Sequence, residues 1–140
     1  MKRIYFILIT IFCFITQTYA ESTNSPTKNG GYVEVTFNPP ATAQAGDISS
    51  FIISNGSSIP LVSLHVKITL TFAPTRSIKT RSSTNATRYS TKNQEFVIFD
   101  NNVTEKIDEY SSKEITFKMP ITYSRDILNT SITISGPACN

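Results

Sequence analysis

The sequence predicts an all-β fold: a two-sheet antiparallel β-sandwich, Ig-like, with six to eight strands. Three observations carry that prediction. Apolar residues recur with period two in several short segments, Gly-, Pro- and Asn-containing turns separate those segments, and no segment has the apolar spacing of an amphipathic helix.

Residues 1–20 read as a signal peptide outside that fold. Lys2 and Arg3 precede an apolar run from Ile4 to Ile15, and Thr18 and Ala20 form a small-x-small cleavage site. The run is shorter than the ~20 residues of a spanning helix. No second apolar run of spanning length follows, so a secreted, extracellular domain without a transmembrane segment is expected.

Residues 21–31 are polar, with Pro26, Gly30 and Gly31, and read as a flexible lead-in. The sandwich is expected over residues 32–136, with 137–140 as a tail. Val33, Val35 and Phe37 alternate with polar residues in a first strand ended by Pro39-Pro40. A second spans Ile48 to Ser54, between the Gly46-Asp47 turn and the turn at Ser54 to Ser58. Val62, Leu64, Val66, Ile68, Leu70 and Phe72 alternate strictly with polar residues, which predicts a long strand with one wet face. Residues 75–93 read as a long polar loop. Phe96 to Phe99 reads as a short strand and Val103 to Ile107 as a marginal one. Ile115, Phe117 and Met119 alternate up to Pro120. Leu128, Ile132 and Ile134 mark the last strand, closed by Gly136-Pro137.

Charge argues against a nucleic-acid partner. The 120 residues after Ala20 carry eleven Lys/Arg against ten Asp/Glu. Between Asp47 and Glu95, however, Lys67, Arg76, Lys79, Arg81, Arg88 and Lys92 meet no acidic residue. That local excess suits a solvated loop, or contact with an anionic polymer.

Catalytic and metal chemistry find little footing. His65 is the one histidine and falls on the polar face of the long strand. Asp108-Glu109 is the one adjacent acidic pair, and strand neighbours point to opposite faces. Neither a Cys/His cluster nor a Gly-rich phosphate loop is present. A non-enzymatic protein without cofactor or metal is expected. Cys139 is the one cysteine beyond the signal peptide, either a tail thiol or the link of a disulfide dimer. Sequons at Asn55, Asn85, Asn102 and Asn129 are candidate glycosylation sites.

Tyr89, Tyr110 and Tyr123 fall in loops or at strand ends, where an amphipathic ring can stack on a sugar. Four segments give this possibility a family context: the strand–turn–strand of Ile52 to Ile68, then Leu70 to Pro74, Asn93 to Phe99 and Ser112 to Phe117. Together they resemble carbohydrate-binding module family 49. This small β-sandwich occurs at the ends of plant endoglucanases and in social-amoeba matrix proteins, and its members bind crystalline cellulose. The family's tryptophans are missing, with Arg76 and the residues around Phe99 in their places. The resemblance implies a polysaccharide partner, cellulose or another β-glucan in a wall or matrix, with Tyr89, Tyr123 and Phe99 as sugar contacts. A second likeness, carried by Val35 to Pro40, Gly46-Asp47 and Cys139, is to the ML lipid-recognition family, which holds lipid between its sheets. A structural or adhesive extracellular domain is the third reading.

Overall fold

The computed structural model describes residues 21–28, 30–74, 92–137 and 139. Their chain order is β1 (Glu21–Pro26), β2 (Tyr32–Phe37), β3 (Ile48–Asn55), β4 (Leu64–Phe72), β5 (Gln94–Val103), β6 (Ser112–Lys118) and β7 (Ile127–Ser135). Four strands form one sheet in the order β1-β2-β3-β6, and three form the other in the order β5-β4-β7. Every pairing is antiparallel. The all-β, two-sheet sandwich is therefore present, with seven strands.

Alternation explains the core. Val33, Val35 and Phe37 of β2 face Phe51 and Ile53 of β3, while Leu64, Val66, Ile68 and Leu70 line β4, all at most 1% exposed. Burying each such side chain stabilises by about 1.5–3 kcal/mol, which holds the two sheets together. Aromatic rings knit the layers. Phe99 meets Phe51 edge-on at 4.9 Å and Phe117 at 5.4 Å, and Phe51 lies 6.0 Å from Phe117. Phe72 packs on Phe96 at 5.9 Å and on Tyr123 at 5.2 Å. The Arg125 guanidinium lies over the Phe72 ring at 4.7 Å and donates to Ala73 O and Gln94 Oε1. It thereby joins the end of β4 to the start of β5.

Several expectations need correction. The flexible lead-in of residues 21–31 is instead strand β1 and a turn. Glu21 to Pro26 contains no large apolar residue, so hydropathy gave no sign of it, and backbone pairing with β2 from Glu21↔Phe37 to Pro26↔Tyr32 holds it in place. Thr27 N donates to Gly31 O at 2.9 Å, and Gly31 N returns a bond to Thr27 Oγ1 at 3.0 Å. Within the expected tail, Cys139 forms an isolated β-bridge with Thr27 and is buried.

The long strand begins at Leu64 rather than Val62. Leu61 takes the buried place, exchanging backbone bonds with Ile107 at 2.8 Å, and Val62 is turned to solvent. Leu128 is likewise exposed, beside a register shift opposite Thr71 and Phe72. The short strand at Phe96 extends to ten residues, with a bulge opposite Ile68 and Thr69. The turn at Gly46 matches its signal: Gly46 has φ +98°, Asp47 N donates to Gln44 O, and Gln44 N donates to Asp47 Oδ2.

Candidate functional site

Of the expected sugar contacts, Tyr123 and Phe99 lie among the described residues, and both point inward. Tyr123 is buried at 5% exposure, its backbone paired with Ala43 and its hydroxyl donating to Pro40 O at 2.7 Å. Burial pushes its phenol above the ordinary tyrosine range. Phe99 is inward-facing and spends its ring on Phe51 and Phe117. Neither can offer a flat open face. Tyr89 lies outside the described residues, as do Asn85 and most of the basic segment.

The register instead assembles a different surface, the outer face of the β1-β2-β3-β6 sheet. Directly paired residues share a face. One row runs Ser22, Thr36, Ile52, Glu114, and the next runs Asn24, Glu34, Ser54, Ser112. Pro26 and Tyr32 open the row after that. The strip is about 14 Å across four strands and dense in hydrogen-bonding groups. Ser22 Oγ donates to Glu34 Oε1, Ser50 Oγ donates to Glu114 Oε1, and the Ser54 and Ser112 hydroxyls meet at 2.8 Å.

Tyr32 is the aromatic member of this face. It stands in the outward phase of the Val33, Val35, Phe37 alternation and is 50% exposed. Gly56 lies beneath it: a Cβ built at 56 would be 2.6 Å from both Cε1 and Cζ and 2.9 Å from Cδ1 of the ring. Near-equal distances to three adjacent ring atoms put the glycine under the ring face, not at its edge. One face of Tyr32 thus rests on backbone while half the residue stays in water. Gly31 makes the neighbouring approach possible, since a Cβ there would lie 2.5 Å from Ser57 Cβ and 2.6 Å from Ser57 Cα.

Asn55 organises this end of the sheet. It is 2% exposed, and its Nδ2 donates to the carbonyls of Ile59, Asp108 and Ile107 at 2.9, 3.1 and 3.3 Å. Its Oδ1 accepts from Ser57 N at 3.1 Å and Ser57 Oγ at 2.8 Å. One side chain therefore ties the Gly56 turn to the turn carrying Tyr110, whose N donates to Ser57 O at 3.3 Å. Tyr110 is 73% exposed, with φ +53°. Two open tyrosines, 32 and 110, flank a turn braced from inside. The amide nitrogen of Asn55, an expected glycosylation site, is buried and engaged in the folded chain. Asn102 and Asn129 are exposed.

The polar cluster on the other sheet is self-contained. His65 Nδ1 meets Asn102 Oδ1 at 2.9 Å and His65 Nε2 meets Asp100 Oδ1 at 2.8 Å, with Lys67 Nζ at 4.0 Å from Asp100 Oδ2. Both ring nitrogens are engaged within this cluster. Asp108-Glu109 lies in a turn, not a strand, where Asp108 pairs with Lys106 at 3.0 Å and holds that ammonium above its usual range. Among the described residues, no group of three or more His, Cys, Asp or Glu is arranged to hold a metal. No described helix is long and apolar enough to cross a membrane. Cys139, the candidate dimer link, is buried, so a disulfide to a second copy would first require its neighbourhood to open.

The tyrosine platform went unnoticed in the sequence, although its phase opposite the core residues of β2 marks it. What sequence could not supply was the glycine that meets it from another strand. No family model matches the chain, and no curated protein is significantly similar to it.

Proposed function

We propose that the chain is a secreted, non-catalytic carbohydrate-binding domain for cellulose or another β-glucan of an extracellular matrix or wall. The observation that carries this reading is Tyr32 seated on Gly56 beside rows of Ser, Thr, Asn and Glu. A pyranose presents an apolar C–H face and a rim of hydroxyls. The open ring face takes the first, and the Asn24, Glu34, Ser54, Ser112 row takes the second. Tyr110 supplies a second stacking position across the Gly56 turn, and its exposure suits a ligand that extends beyond one ring. Recognition of this kind needs no cofactor. The likeness of Ile52 to Ile68 and its companion segments to family 49 supports a carbohydrate ligand.

The lipid reading finds less support, because the Phe51, Phe99 and Phe117 rings interleave where it would place an acyl chain. Co-sedimentation of the folded protein with insoluble β-glucan tests the proposal. Failure to sediment with any such glucan contradicts it.

A further inference from the structure

The three sequons among the described residues sort by sheet. Asn55, at the end of β3 in the four-stranded sheet, is sealed by its own hydrogen bonds. Asn102 and Asn129 are exposed and belong to β5 and β7, the two edge strands of the β5-β4-β7 sheet. The register puts both on that sheet's outer face: one row runs Asn102, His65, Ser135 and another runs Glu95, Thr71, Asn129. They occupy diagonal corners, about 20 Å apart along the strands and on opposite sides of β4.

We infer that N-glycans at Asn102 and Asn129 clothe the outer face of the three-stranded sheet while Asn55 stays bare. The glycan forms its bond to Nδ2, and at Asn102 it is Oδ1 that meets His65, so modification leaves that contact in place. At Asn55 the same bond would displace a donor from three carbonyls at once. A chain modified there before folding could not close its Gly56 turn. Glycans on both edge strands also hinder pairing of those edges with another chain, and they leave the Tyr32 face uncovered. This inference rests on the secreted reading.

The experiment expresses the full chain in a eukaryotic secretory host and maps glycopeptides of the protein in the medium. The expected result is occupancy at Asn102 and Asn129 and none at Asn55, with Asn102→Gln and Asn129→Gln each removing one glycan's mass. Secreted protein carrying a glycan on Asn55, or bare at Asn102 or Asn129, overturns the inference and leaves secretion standing. Protein retained inside the cell without any glycan overturns the secreted reading and this inference with it.

Discussion

Tyr32 covers Gly56 with one face of its ring, and a β-carbon at position 56 would sit 2.6 Å from two ring atoms. The tyrosine can swing away, since it is half exposed. Gly56→Ala is therefore expected to cost only about 1 kcal/mol of stability while tilting the platform. Gly31→Ala meets the Cα and Cβ of Ser57 instead, and backbone cannot swing away. It is expected to cost about 3 kcal/mol. Urea midpoints of the two variants check the ranking. Equal losses would mean that Tyr32 does not rest on Gly56.

Asn55 is the brace behind that platform. Asn55→Ala removes five hydrogen bonds and leaves Asp108 O without its donor, while Ile59 O keeps Ser57 Oγ and Ile107 O keeps Leu61 N. The expected loss is about 3 kcal/mol, read from chemical denaturation. Asn55→Asp is expected to cost at least as much, because a carboxylate would face those same carbonyls.

Tyr123 makes stability sensitive to alkali. Burial raises its pKa in the folded state, so the unfolded chain ionises first as pH rises. The stabilisation is fully present below the ordinary tyrosine value of about 10 and is lost as pH climbs through the raised folded value. Tyr123→Phe is expected to blunt this alkaline loss. At neutral pH it costs about 1 kcal/mol through the bond to Pro40. Thermal melts from pH 8 to 11 distinguish the two proteins, and identical pH profiles would contradict the account.

Cys139 is expected to resist thiol reagents in the folded protein and to react on unfolding, because its side chain is buried against the Thr27 bridge. Labelling with an aromatic disulfide across a urea series reads this. Labelling as fast in buffer as in denaturant would show the thiol to be open.

The parts of the fold legible in the sequence are those where water and core compete for alternate residues. The Leu64 to Phe72 strand is the clearest, since nine apolar or polar choices in succession agree with one register. Strand β1 was illegible for the opposite reason. Glu21 to Pro26 buries little, and its place is fixed by hydrogen bonds to β2 that leave no mark on hydropathy. Tyr123 looked like a loop aromatic, but its pairing with Ala43, distant in sequence, draws it inside. Asn55 looked like a sequon in a polar turn, yet the same small polar residues that signal a turn also let its amide reach three carbonyls. Tyr32 and Gly56 are separated by a whole strand, so no local pattern joins them.

Binding of β-glucan by the proposed Tyr32 face is tested most directly by comparing wild type with Tyr32→Ala for retention on microcrystalline cellulose. Removing a half-exposed ring should leave the fold intact, which the thermal melt verifies. Wild type is expected to be retained, and Tyr32→Ala to weaken retention about tenfold, the loss of one stacking contact of roughly 1.4 kcal/mol. Equal retention of the folded variant, or no retention of wild type on cellulose or any other insoluble β-glucan, would contradict the proposal.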